Sequence, residues 1–437
     1  MRNFEDLQFN IFSESDMSFF LFSADDLLAN FNALKEALDK YYPKYILSYS
    51  YKTNSVPAVL RTVKDLGVRA EVVSSDEFEL AKKIGYRVSD IIYNGPIKTK
   101  DSFFEALDFG AIVNVDSKRE LLWLSNYSKI HNNKQINIGI RLNFDLLNEY
   151  ADSSTAKDRD PRFGFSDHSF ELEELISYIS SLGNVRINTL HLHHSNHSRS
   201  AEFYMYLIKA AASIAKKYKL KIEYLDIGGS FFAGGKFKDR FDEYIKNIAL
   251  EIHKYDIFAD ISLILEPGAS VVASAFSLYS IVIDKKMTAS DYYLVTDASR
   301  CLIDPFMHKD KYDYRVIPGD IFAKGIEHED EFSIIDKVNQ IEASNIENIL
   351  SSREQLATQY IAGYTCMEND ILMRICDKPE LEIGDIIIYD CVGSYTICFN
   401  PQFIRYTPEI YMLRDNRISK VRRKFNALDY LAQEIRE

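Results

Sequence analysis

The chain has 437 residues, more than one hydrophobic core usually organises, so two domains are the first expectation. Its 46% hydrophobic and 27% charged content is ordinary globular composition. The net charge of -13, with no Lys/Arg-rich run, argues against nucleic acid as a partner and for small molecules. The opening stretch MRNFEDLQFNIFSESDM carries acidic residues where a signal peptide needs an apolar run. No segment reaches the roughly 18 consecutive apolar residues of a membrane span, so a soluble, cytoplasmic protein is expected. Five cysteines, Cys301, Cys366, Cys376, Cys391 and Cys398, are an odd number without C-x-x-C spacing. They read as reduced thiols, and no structural metal is expected.

The first element, ADDLLANFNALKEALDKYY, has an acidic first turn that suits a helix dipole. After it, short β-branched or aromatic runs alternate with longer segments of helical periodicity. The predicted strands are YILSYS (45–50), RAEVVS (69–74), DIIYN (90–94), AIVNV (111–115), INIGIRL (136–142), INTLHLH (187–193), EYLDIG (223–228) and SLILE (262–266). Between them lie amphipathic helices such as DEFELAKKI, closed by Gly85, SKRELLWLSNYSK, and SAEFYMYLIKAAASIAKKY. Eight strands alternating with helices predict a (β/α)8 barrel over residues 24–275. From 276 the runs SLYSIVI, DYYLVTD, QYIAGY, DIIIYDCV and EIYML follow without intervening helices of comparable length. Residues 276–437, with 1–23, are therefore assigned to a second, mostly-β domain.

In such a barrel the functional groups sit at the C-terminal strand ends. Strand 1 leads to Lys52, flanked by Tyr49, Tyr51 and Asn54, surroundings that suit an amine able to condense with an aldehyde. Strand 7 leads to DIGGS and strand 8 to LEPGAS, where Gly228, Gly229 and Gly268, with Ser230 beside them, offer backbone that an anion can approach. Glu266 lies on the same rim. Lysine, glycine cup and carboxylate together describe a site for pyridoxal 5'-phosphate: aldehyde at Lys52, phosphate at the glycines, ring nitrogen at Glu266. Strand 6 ends in LHLHHSNHS, which places four of the nine histidines within seven positions. A zinc site would need three or four converging ligands.

The motifs YSYKTN, AEVVSSDEFELA, IIYNGPIKT, VNVDSKREL, IGIRLN, RFGFS, LHLHH, LDIGGS, LEPG, GYTCMEND and CVGSYT, in this order, resemble the fold-type III pyridoxal-phosphate-dependent decarboxylases, such as diaminopimelate and ornithine decarboxylases. The resemblance covers residues 19 to 410 and implies a barrel of the alanine racemase type. It implies that His193 stacks on the cofactor ring while His191 fills the barrel interior. Cys366 matches the cysteine that protonates the α-carbon, donated by the second subunit of a homodimer with shared active sites, and Asp370, a candidate substrate contact, keeps the family's cysteine-to-aspartate spacing. Tyr395 matches the tyrosine near the phosphate. Glu71, Glu77 and Arg141 match polar positions around the cofactor, and Asn196 stands approximately where a serine is usual.

Several positions depart from the pattern. Ala269 replaces the arginine of EPGR, Met367 replaces the acidic residue that receives a distal ammonium, and Asp304 lies near the place of an arginine that receives a distal carboxylate. A buried charge left alone costs about 3 to 5 kcal/mol. The expectation is therefore decarboxylation of a non-standard or conjugated amino acid rather than ordinary diaminopimelate, with His194, His197 or Arg199 making replacement contacts. Two alternatives stand beside it: an amino-acid racemase or epimerase, disfavoured by a carboxylate at the ring nitrogen, and a noncatalytic cofactor-binding regulatory homologue.

Overall fold

The computed structural model describes residues 18–144, 161–167, 169–194, 200–232, 234–309, 311–322 and 330–434. Two compact units are present, one spanning 26–273 and the other joining the described part of 1–25 to 274–437. Among the described residues, no helix is long and apolar enough to cross a membrane.

The first unit is a closed barrel of eight parallel strands: β1 Tyr45–Ser50, β2 Arg69–Ser74, β3 Ile91–Ile97, β4 Ile112–Val115, β5 Ile136–Asn143, β6 Val185–His191, β7 Tyr224–Asp226 and β8 Ser262–Leu265. Closure is completed where β4 meets β5, with Asn114 opposite Gly139, and where β8 meets β1, with Ile264 opposite Ile46. Helices return the chain between strands, as parallel pairing requires. Helix Ser75–Ile84 starts with Ser74 Oγ accepting the Glu77 N–H and Glu77 Oε2 accepting the Val73 N–H. It stops at Gly85, whose φ of 99° is easy only for glycine. Helix Ala201–Lys217 buries Phe203, Tyr204, Leu207, Ile208 and Ala211, the three-and-four spacing read from the sequence.

The strand-6 prediction is displaced. Pairing with β5 begins at Val185 and ends at His191, so His193 lies two residues beyond the ladder. The polar start VRIN hides strand pairing because Arg186 faces outward to Glu223.

The second unit is a nine-stranded sheet. Its N-terminal strand, Phe19–Ser23, is antiparallel to Phe276–Met287 on one side and parallel to Ile410–Arg414 on the other. Phe19, Tyr279, Ile388 and Tyr411 form its core with Ile334, Ile335 and Val338. Those last three come from helix Glu331–Gln340, which, with Ala343–Ser351, adds two short helices to a region whose strand runs dominate the sequence pattern.

Gly139 illustrates how tightly the barrel interior is filled. A Cβ there would fall 1.7 Å from Asn114 Oδ1 and 2.9 Å from Thr189 Cβ. Gly139→Ala is expected to lower stability by about 1 to 3 kcal/mol, read as a lower urea midpoint at unchanged m-value.

Candidate active site

The C-terminal strand ends of the barrel converge on a polar cluster. Lys52 follows β1 in a turn of 3-10 helix, and its Nζ lies 3.3 Å from Glu71 Oε2 within β2. Glu71 is fully buried, and Ser50 Oγ donates to the same oxygen at 2.5 Å. From β3, Asn94 Nδ2 donates both to Glu71 Oε1 (3.0 Å) and to Glu266 Oε1 (2.6 Å). From β4, Asn114 Nδ2 donates to Asn94 Oδ1 at 2.7 Å and to Asp226 Oδ2 at 3.3 Å. Lys52, Glu71, Asn94, Asn114, Asp226 and Glu266 thus form one continuous chain of polar contacts inside the barrel.

Burial holds both Asp226 and Glu266 above the usual carboxylate range, and each feels the other, while the Lys52 charge opposes the rise at Glu266. Two carboxylates this close share a proton more readily than they both ionise. His191, Asp226 and Glu266 present ligand atoms within 4.8 Å of one another, a spacing that also suits a metal ion. His191 lies 3.6 Å from Glu266 Oε2, and burial holds its imidazole well below the ordinary histidine range.

The glycine turn after β7 differs from the bare anion cup read from the sequence. The Gly228 N–H donates to Asp226 Oδ1 at 3.0 Å, and the Gly229 N–H donates to His193 Nδ1 at 3.2 Å. Both amides are therefore engaged, because Asp226 folds back on its own turn and His193 leans over it. The glycines are needed for closeness: at Gly228 (φ 69°) a Cβ would lie 2.4 Å from His193 Nδ1, and at Gly229 one would lie 2.3 Å from Glu266 O. With Nδ1 accepting, the neutral His193 ring carries its proton on Nε2. Burial first, then the Lys52 and Arg141 charges, keep that ring well below its ordinary pKa. The His191 and His193 rings lie stacked, 6.2 Å apart and 18° from parallel. Ser230 follows with φ 71°, an uncommon backbone for a residue with a Cβ. Gly268 precedes the short helix Ala269–Val272, where Ser270 Oγ is buried with no hydrogen-bond partner among the described residues.

A second ionic layer supports the first. Arg141 Nη1 donates to Asp116 Oδ2 at 2.9 Å and Nη2 to the His193 carbonyl at 3.0 Å. Asp116 Oδ1 accepts the Gly164 N–H at 2.8 Å. Although burial alone would raise it, Arg141 holds the Asp116 carboxyl below the usual range. Beside this pair, the fully buried Lys98 and Glu120 meet at 3.1 Å. His194 is buried against Phe144, its Nδ1 3.0 Å from the Leu192 carbonyl, and burial pushes it down to about 4. Asn196, His197 and Arg199 lie outside the described residues.

In the second unit, Cys366 is exposed and Met367 half-buried on the loop 363–370. Asp370 is buried and accepts from Arg300 N, Ser299 Oγ, Thr365 N and Thr365 Oγ1. Asp304 is also buried, and its Oδ2 accepts from Arg300 Nε at 3.1 Å and Lys309 N at 2.8 Å. Tyr395, with φ 54°, is 41% exposed.

Residues 25–273 match the family described as pyridoxal-dependent decarboxylase, pyridoxal binding domain. The chain belongs to the pyridoxal-dependent decarboxylases. It is 25% identical over 416 residues to the diaminopimelate decarboxylase of Aquifex aeolicus, covering 92% of this chain and 89% of that one. It is also 25% identical to antizyme inhibitor 2 of Xenopus laevis, over 90% and 79% of the two chains. Among solved structures it resembles diaminopimelate decarboxylase from M. jannaschii, with TM-score 0.76, 22% identity and coverage of 96% and 92%. The arginine decarboxylase of Paramecium bursaria Chlorella virus gives TM-score 0.70, 20% identity and coverage of 91% and 95%. Likeness at these identities speaks to the fold.

The family's cofactor is pyridoxal phosphate, and the residues present suit it. Lys52 supplies a primary amine and Glu266 a buried carboxylate. Ser270 Oγ adds a buried donor without a partner among the described residues. Asn94, Asn114, Asp116 and Asp226 were not singled out in the sequence. The signal was a polar residue at each strand's C-terminal end, within NGP, VNVD and LDIGG.

Burial raises the Glu77 carboxyl to about 7, despite the Val73 N–H it accepts. A carboxyl raised on folding favours the protonated folded state, so its destabilising effect grows as pH rises from about 4.5 towards 7. Glu77→Gln should therefore raise the Tm of cofactor-free protein at pH 8, with the gain shrinking towards pH 5.

Proposed function

We propose that this decarboxylase acts on an α-amino acid whose side chain ends in neither a free carboxylate nor a free ammonium, such as a conjugated biosynthetic amino acid. One observation carries the reading. The carboxylate of Asp304, near the position where the family resemblance places an arginine for a distal carboxylate, is already occupied by Arg300 and the Lys309 amide. A carboxylate there supplies no cation for a distal carboxylate, and its Oδ2, already bound to Arg300 and the Lys309 amide, is a poor receiver of a distal ammonium. Met367, where an acidic residue receives the ammonium in relatives, removes the other recognition charge. The solved relatives include a diaminopimelate decarboxylase complexed with L-lysine and an arginine decarboxylase bound to agmatine, both charged at the distal end.

Pyridoxal phosphate, when bound, supplies the electron sink that accepts the pair left by departing CO2. Lys52 is the residue to hold its aldehyde carbon. Glu266, kept in place by Asn94, holds a proton at the ring nitrogen, and Asp226 behind it keeps a further proton within the buried pair. His193, fixed by the Gly229 amide and by Arg141 on its carbonyl, presents a neutral ring face for stacking. Cys366 delivers the proton to the α-carbon, and in this reading it reaches the barrel of a second copy of the chain in a homodimer. In the same reading Tyr395 is assigned to the phosphate by the family resemblance alone.

Two measurements test the proposal. Borohydride reduction of protein saturated with the cofactor should label the peptide containing Lys52, and Lys52→Ala should lose the visible absorbance and the release of CO2. In a panel of diamino, acidic and conjugated amino acids, the conjugated members should release CO2 fastest. Efficient turnover of meso-diaminopimelate would overturn the substrate assignment while leaving the cofactor reading intact.

A further inference from the structure

We propose that Asp370 and Thr365 form a clasp that sets the position of the Cys366 thiol, making both positioning residues for protonation of the α-carbon. The inference rests on the reading of Cys366 given above. Asp370 is 2% exposed although it ends a loop in which Cys366, Glu368 and Asn369 are exposed and Tyr364, Thr365 and Met367 half-buried. Its Oδ1 accepts the Arg300 N–H (2.8 Å) and Ser299 Oγ (3.1 Å). Its Oδ2 accepts Thr365 Oγ1 (2.6 Å) and the Thr365 N–H (3.1 Å). Every lone-pair direction of the carboxylate is filled, which leaves nothing for a substrate ammonium.

What the four bonds do is join two segments. Ser299 and Arg300 begin the helix Arg300–Ile303, where Ser299 Oγ also accepts the Cys301 N–H, so one end of the clasp is anchored on regular structure. Thr365 is the residue immediately before Cys366. The loop closes on itself through Gly363 N to Asp370 O (2.8 Å) and Asp370 N to Met367 O (2.9 Å), while Tyr364 N reaches the Ala298 carbonyl at 3.1 Å. Gly363 makes room for the carboxylate: a Cβ there would lie 2.3 to 2.6 Å from Oδ2, Cγ and Oδ1. An exposed loop tip is ordinarily free to wander, and a displacement of about 1 Å at a reacting group lowers a rate on the order of a hundredfold. Charge-assisted bonds to a buried carboxylate are the strong kind that prevents this.

The test uses full-length holoenzyme and the alkylation rate of each cysteine by iodoacetamide, followed peptide by peptide. Cys391 and Cys398, also exposed, are internal references for general loosening. Thr365→Val removes the hydroxyl with little change of shape, Asp370→Asn replaces an acceptor with a donor facing the Thr365 amide, and Thr365→Ser keeps the hydroxyl. The clasp predicts that T365V and D370N change the Cys366 rate several-fold while Cys391 and Cys398 keep theirs, and that T365S stays at the parent value. It further predicts that kcat of T365V falls on the order of tenfold with KM held. An unchanged Cys366 rate in both disruptive variants, or an equal change at all three cysteines, overturns it. Cys366→Ala separates the two readings: unaltered kcat in that variant removes the thiol's assigned role, while the alkylation rates still decide the clasp.

Discussion

Three carboxylates, Glu71, Asp226 and Glu266, are buried at one end of a barrel, and a carboxylate taken out of water must find a cation, a proton or donors enough to replace its hydration. The barrel meets this demand in three ways at once. Glu71 takes the Lys52 ammonium and the Ser50 hydroxyl, Glu266 takes an asparagine amide, and Asp226 takes a glycine amide and shares a proton with Glu266. Because Asn94 donates to both Glu71 and Glu266, moving either carboxylate disturbs the other. The orientation of the amine and of the ring-nitrogen partner are thereby one problem with one solution.

The surrounding ionic pairs extend the same logic outward. Arg141 ties Asp116 to the backbone of His193, and Lys98 ties Glu120 to the ends of β3 and β4 through the carbonyls of Gly95 and Asn114. Neither pair contributes an obvious reacting group. Removing one member of such a pair leaves an uncompensated buried charge, so each locks a strand end against its neighbour. In the second unit the pattern repeats at Asp304, whose Oδ2 is taken by Arg300 and the Lys309 amide, and at Asp370, both of whose oxygens are filled by the protein itself. A carboxylate near a reaction site is thus no guide to substrate charge until its donors are counted.

Much of this was legible in the sequence, for identifiable reasons. The barrel strands are largely buried runs bounded by turns, and helices such as Ser75–Ile84 carry both a capping serine and a closing glycine, so period and punctuation agree. Lys52 and Glu266 stood out because a charge directly after an apolar strand is anomalous. The engaged amides of Gly228 and Gly229 could not be seen, since they depend on how Asp226 and His193 fold back over the turn. Asp304 was visible as a departure, but its pairing with Arg300 depends on a single turn of helix joining them. The inward asparagines were hidden for a different reason: in strand ends rich in loop-forming residues, Asn reads first as a turn signal.

The chain order carries a consequence for biogenesis. The strand Phe19–Ser23 lies between Phe276–Met287 and Ile410–Arg414, so neither neighbour exists until some 250 further residues have been made. During that interval the apolar run FFLF, buried in the finished sheet, has no strand partner to cover it. The barrel must mature as an insertion within an unfinished sheet, and holdase protection of the leading segment would matter most in that window.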